Sequence, residues 1–116
     1  MTNPPYDFIL DYLPAGITLK KMFGMNYIYI GKKIMLILRK RDNEADLNGI
    51  WVATSKKYHE SLKKEIPELG AFSITGDERL GNWLLIPDNS DDFEAAGIKI
   101  CELITHHDPR VGHVPK

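Results

Sequence analysis

The chain has 116 residues, of which 43% are hydrophobic and 27% charged, the size and composition of one globular domain spanning 1–116. No apolar run approaches the ~20 residues that a membrane span requires, and the first residues lack the pattern of a secretory signal. The single cysteine, Cys101, excludes an intramolecular disulfide and predicts a reducing, cytoplasmic location.

The net charge of −1 conceals an asymmetry along the chain. Residues 1–41 carry a net charge of +5, and the remaining residues carry −6. Solvated strand ends account for many such lysines, but a basic patch that attracts an anionic partner is the second interpretation. The residues of that patch would be Lys20, Lys21, Lys32, Lys33, Arg39, Lys40 and Arg41.

The first predicted element is a helix. Asn3-Pro4-Pro5 is typical of a helix start, and Tyr6, Ile9, Leu10 and Leu13 follow with helical spacing. Pro14-Ala15-Gly16 is expected to end it.

Residues 18–40 predict three short antiparallel strands that reverse at Gly24 and Gly31. A two-residue turn at Gly31-Lys32 pairs Ile30 with Lys33, and continuous pairing then places Ile28 opposite Met35. That register puts Leu36 and Leu38 on the face of Tyr27 and Tyr29, and Met35 and Ile37 on the other face. The third strand, 34–38, is apolar on both faces, which favours a central strand covered on both sides. A second copy of the chain is one candidate for that cover.

The remaining elements follow from turn residues and apolar spacing. The expected order is a polar loop at 41–49, a strand at 50–53, a helix from Ser55 to Ile66, a strand at 71–74, a loop at 75–79, a strand at 82–86, a helix capped by Ser90, and an extended tail at 106–116. These elements predict an α+β fold, with an antiparallel meander of about five strands and N-terminal, central and C-terminal helices packed on it.

Candidate chemical groups are few. His106, His107, Asp108 and His113 could hold a metal, but a solvated helix end explains them better because no second cluster supports them. Cys101 is expected to be a small core side chain. We therefore predict no enzymatic activity, with no catalytic, cofactor-binding or metal-binding residues and no cofactor.

Two segments resemble the N-terminal domain of the TfoX competence-regulator family. The first contains Lys21-Met22-Phe23-Gly24, a tyrosine-bearing strand and the Gly31-Lys32 turn, and the second runs from Trp83 to Pro87 ahead of the closing helix. The resemblance covers about residues 16–105 and implies a small α+β domain, similar also to YjbR/MmcQ-like proteins. It makes Met22, Phe23, Gly24, Gly31, Trp83 and Pro87 structural motif residues.

Three functions are compatible with this pattern. The first is a non-enzymatic cytoplasmic module, with a regulatory role, that binds a protein partner or a second copy of itself. The second is a regulatory protein that binds DNA through the seven basic residues of 20–41, and the third is a small-molecule sensor with an aromatic pocket around Trp51 and Trp83. No membrane partner is expected.

Overall fold

A computed structural model describes residues 4–71 and 82–114 of the chain. The strands are β1 (Ile17–Met22), β2 (Met25–Ile30), β3 (Lys33–Arg39), β4 (Gly49–Ala53), β5 (Gly70–Ala71) and β6 (Trp83–Pro87). The α-helices are α1 (His59–Glu65) and α2 (Phe93–Thr105), and 3₁₀ turns span Asp7–Tyr12, Ala45–Leu47 and Lys56–Tyr58. Of the predicted 71–74 strand and 75–79 loop, only Ala71 belongs to the described residues, and it ends β5.

All the described strands are antiparallel and form one sheet in the order β1-β2-β3-β4-β6-β5. The first four strands are a meander, and the chain then passes through α1 before it returns to β4 with β6. The 3₁₀ turn at Asp7–Tyr12, α1 and α2 contribute to the core on one face of this sheet. The predicted α+β class is therefore confirmed, with a 3₁₀ turn in place of the first predicted helix.

The sheet buries side chains on both faces. The larger core, beneath the helices, includes Ile28, Leu36, Ile50 and Leu84, whose exposure is 0%. The opposite face has its own core of Ile34, Ile37, Leu47, Trp51, Ala53, Trp83 and Leu85, each at most 9% exposed within a single chain. The two-sided burial predicted for β3 is confirmed, but this one chain covers both faces. The apolar character of β3 therefore gives no support for a dimer.

The predicted register between β2 and β3 is only partly correct. Ile30 pairs with Lys33, but Ile28 pairs with Leu36 rather than Met35, because the register shifts between Ile28 and Tyr29. Such a bulge adds one residue to β3 and reverses the face of every side chain beyond it. Leu36 therefore enters the core beneath the helices, and Ile37 joins the opposite core.

The predicted extended tail also needs correction. After α2, His107 adopts a φ of 57° and the Asp108 N–H donates to Leu103 O, a left-handed helix end. The segment then folds back: Gly112 N–H donates to Ala53 O at 2.7 Å, and His113 forms a β-bridge with Ile34. The segment is thus held against the sheet at Gly112 and His113.

Arg110 fastens the same segment to α1. Its guanidinium donates to both oxygens of Asp108, to Ser61 Oγ and to Glu65 Oε1, at 2.8–2.9 Å. These bonds hold the pKa of the Asp108 carboxyl below its ordinary value, through the hydrogen bonds and charge of Arg110. Val111, 3% exposed, then packs into the helix-side core.

Candidate interaction surface

The seven predicted basic residues do not form one patch. Lys32 and Lys33 lie at the β2–β3 turn, whereas Lys20 and Lys21 pair with Tyr27 and Asn26 toward the other end of the hairpin. Strands of six or seven residues separate the two ends by about 20 Å. Lys40 and Arg41 follow β3 at the Lys20 end, where Lys40 Nζ lies 4.0 Å from Asp88 Oδ2.

Arg39 is not available to a ligand. The residue is 4% exposed, and its Nη1 donates to Asn48 Oδ1 at 2.7 Å and to Glu44 O at 2.8 Å. Its Nη2 donates to Asn43 O at 2.9 Å. Asn48 in turn exchanges two hydrogen bonds with the backbone of Arg41. The predicted DNA-contacting role of Arg39 is therefore wrong, because its charge organises the 41–48 loop.

The β1–β2 turn carries the most exposed large hydrophobic side chain of the described residues. Phe23 is 79% exposed and has a φ of 54°, and Gly24 follows with a φ of 75°. A two-residue turn with both φ values positive favours Asn-Gly, since a bulky residue in the left-handed region costs roughly 1–2 kcal/mol. Phe23 thus holds a strained conformation without burying its ring, so folding gives no reason for a phenylalanine there.

The Arg41 side chain contacts the backbone of this turn. Its Nη1 donates to Phe23 O at 3.4 Å, and its guanidinium carbon would lie 3.4 Å from a Cβ placed on Gly24. The cation therefore lies against the backbone of the turn that carries Phe23. Arg41 and Phe23 are 18 residues apart in sequence, so the antiparallel meander of β1, β2 and β3 is what brings them together.

β1 forms the sheet edge that continues from this turn. Leu19 is 41% exposed, and Lys20 Nζ lies 5.3 Å from the centre of the Tyr29 ring. Lys21 is exposed as well. We name the set Leu19, Lys20, Lys21, Phe23 and Arg41 the hairpin edge. It combines two apolar side chains with three cations.

In the described part of the chain, the two tryptophans of the predicted aromatic pocket pack against each other. Trp51 and Trp83 pack edge to face with ring centres 6.4 Å apart, and His113 packs on Trp83 at 5.2 Å. Trp51 also donates its indole N–H to Leu47 O at 2.9 Å. Both rings are less than 10% exposed, so they fill the second core and leave no room between them for a ligand.

The remaining motif residues serve turns and strand ends. Met22 ends β1, Gly31 takes a φ of 58° in the β2–β3 turn, and Trp83 and Pro87 bound β6. Met22 is partly buried. These positions are structural, which leaves Phe23 as the motif residue whose side chain faces solvent.

Cys101 and His113 are both withdrawn from solvent, to different extents. Cys101 is fully buried, its Sγ lies 3.7 Å from Ile9 O, and burial raises the pKa of the thiol to about 12. Burial also lowers the pKa of His113. Within residues 4–71 and 82–114, no three His, Cys, Asp or Glu side chains converge as metal ligands would.

A small concavity lies between the β2–β3 turn and the C-terminal segment. Its volume is about 240 Å³, and it is lined by five apolar residues together with Lys33, His107 and Asp108. This volume is below the roughly 300–1,000 Å³ of most ligand pockets, and Asp108 is already engaged by Arg110. Two larger depressions, of about 580 Å³ beside α1 and about 400 Å³ at the start of α2, are open to solvent and lined mostly by charged or polar side chains. The hairpin edge, with its exposed aromatic ring, is the stronger candidate site.

Comparison with known proteins finds no matching family model, no matching curated protein and no matching solved structure. None of the helices in the described part of the chain is long and apolar enough to cross a membrane.

Proposed function

We propose that this protein is a non-enzymatic regulatory module that binds a protein partner through the hairpin edge. One observation carries the proposal: Phe23 occupies a strained turn position with 79% of its surface exposed. Strained backbone conformations that folding does not require concentrate at functional sites. Exposed aromatic and arginine side chains are also the residues that contribute most to protein interfaces.

The surroundings of Phe23 support the same function. Leu19 adds a second exposed apolar side chain, and Arg41 lies against the turn. The single cysteine, which excludes an intramolecular disulfide, supports a cytoplasmic location. The resemblance of the Met22–Gly24 segment to TfoX N-terminal domains supports kinship with that family, and with it a regulatory role.

DNA binding is a second candidate because residues 17–41 contain seven Lys or Arg and no Asp or Glu. Without Arg39, six cations remain, and they lie at two ends of a hairpin. A protein partner is favoured because Phe23 and Leu19 offer apolar contact area that phosphate recognition does not use.

Site-specific photo-crosslinking in the native host tests the proposal. Benzoylphenylalanine is placed at position 19 or 23, with exposed Lys99 on α2 as the matched control position. We expect discrete adducts that resist nuclease from positions 19 and 23, and none from 99. The position-19 adduct should be lost in a Phe23→Asn background.

Two results would contradict this function. Equal labelling from positions 19 and 99 would show that the hairpin edge has no dedicated partner. Adducts that are lost on nuclease treatment would assign the edge to nucleic acid instead.

A further inference from the structure

The backbone of β1 is arranged to accept another strand. β1 is the outermost strand of the sheet, and a two-residue turn makes Met22 and Met25 a hydrogen-bonded pair. Because hydrogen-bonded pairs alternate along an antiparallel hairpin, Ile17, Leu19 and Lys21 direct their N–H and C=O groups away from β2. Among the described residues, no backbone hydrogen bond outside the sheet pairing reaches these three.

The charge at this edge selects the chemistry of an incoming strand. Lys20 and Lys21 are adjacent, so they point to opposite faces of the sheet and flank any strand paired with β1. The 25 residues from Ile17 to Arg41 include no carboxylate, so none within the hairpin itself balances these lysines. Opposite charges across paired strands stabilise, whereas like charges directly opposite destabilise.

The same charge disfavours a second copy of the chain. Antiparallel pairing of β1 with another β1 would bring four lysines together within a few residue pairs. An acidic strand meets no such repulsion, and it gains apolar contacts with Leu19 and, at the turn, with Phe23.

We infer that the hairpin edge binds an extended acidic segment of a partner protein, which adds to β1 as a further antiparallel or parallel strand. This inference rests on the proposed function and specifies the partner. The N–H and C=O groups of Ile17, Leu19 and Lys21 supply the ladder, and Lys20 and Lys21 supply the selectivity. Phe23 anchors the end of the segment that lies beside the turn.

NMR titration with a capped peptide, Thr-Val-Glu-Glu-Val-Thr-Val, tests the inference. We expect amide shift changes centred on residues 17–22 and slower hydrogen exchange at the Leu19 and Lys21 amides. The same peptide with Lys-Lys for Glu-Glu should not bind. A peptide N-methylated at every residue keeps the charge but has no N–H group for the ladder on either edge, so it should not bind either.

A charge-reversed variant, Lys20→Glu with Lys21→Glu, tests whether the two lysines select the acidic peptide. Both side chains are exposed, so the variant should fold. It should bind the acidic peptide at least about tenfold more weakly and should bind the Lys-Lys peptide instead.

Three results would overturn the inference. They are equal binding of the acidic and basic peptides, binding that survives N-methylation, and a twelve-residue oligothymidine that shifts the same amides and displaces the peptide. Crosslinking from positions 19 and 23 reports on the proposed function separately. Protein adducts there without peptide binding would keep the partner-binding function and reject its acidic, extended character.

Discussion

Replacing Arg39 with methionine separates a structural role of this cation from a ligand-binding one. Methionine keeps an unbranched stem of similar shape but removes the guanidinium and its hydrogen bonds to Asn48, Glu44 and Asn43. A hydrogen bond to a charged group contributes about 1.5–3 kcal/mol. The Glu44 and Asn43 carbonyls belong to exposed residues and regain water, so only the bond to buried Asn48 is lost in full. We therefore expect the free energy of unfolding to fall by about 2–4 kcal/mol in the Arg39→Met variant.

Urea unfolding and thermal melting measure this loss. For a domain of this size, about 2–4 kcal/mol lowers the melting temperature by roughly 8–16 °C. Tryptophan fluorescence gives a local readout, because Trp51 donates its indole N–H to Leu47 O in the loop that Arg39 organises. Loosening of that loop should shift the emission to longer wavelength before global unfolding begins.

Arg41→Met is the matched control. Arg41 is exposed, and the side-chain hydrogen bond it donates to Phe23 O is 3.4 Å long, so its replacement should change stability by less than about 0.5 kcal/mol. If the Arg39 and Arg41 variants melted at the same temperature, the reasoning that the buried guanidinium holds the 41–48 loop would be refuted.

Three further substitutions test other parts of the structure. Phe23→Asn should stabilise the fold by about 0.5–1 kcal/mol, because Asn tolerates the left-handed region, while it removes partner binding; a destabilised variant in urea unfolding would contradict the strain at this turn. Thr54 is 2% exposed, and its hydroxyl has no hydrogen-bond partner among the described residues. Thr54→Val should therefore raise the unfolding free energy by about 1 kcal/mol. A clear decrease in the unfolding free energy would show that the hydroxyl is hydrogen-bonded. Arg110→Gln should cost about 1 kcal/mol at pH 7, since the Arg110–Asp108 pair is partly exposed. The pKa of Asp108 is lowered in the folded protein, so the wild-type protein and the variant should differ in unfolding free energy above the unfolded pKa of Asp108, and this difference should shrink as the pH falls through the folded pKa. If the difference in unfolding free energy did not change between about pH 5 and pH 2, Asp108 would be excluded as the stabilising partner of Arg110.

Local sequence signals determined much of the fold. The glycines at 24 and 31 marked the two hairpin turns, and both adopt positive φ in the structure. The apolar run of β3 indicated a strand buried on both faces, which is what the two cores show. Cys101 was expected in the core and lies there. These features follow from residue type and spacing within about ten positions, where turn chemistry and strand periodicity act directly.

The candidate site was only partly accessible to sequence reasoning. Lys20, Lys21 and Arg41 stood out as basic residues, but Arg39 looked equivalent to them until its burial was known. The family resemblance made Phe23 a structural motif residue, and a core position is the usual expectation for a phenylalanine. Phe23 directly precedes Gly24 in a two-residue turn that requires two positive φ values, and this position was the signal that could have placed its side chain on the surface.

The sequence by itself therefore determined the strands, the turns and the α+β class, because those depend on neighbours along the chain. The tertiary structure alone decided the bulge at Met35, the return of residues 106–114 and the burial of Arg39. Met35 packs against Gly112, Ile34 bonds His113, and Arg39 bonds Asn48. These contacts join residues that are distant in sequence, and the bulge reverses the two faces of β3 by one extra residue. The local pattern of side chains predicts neither.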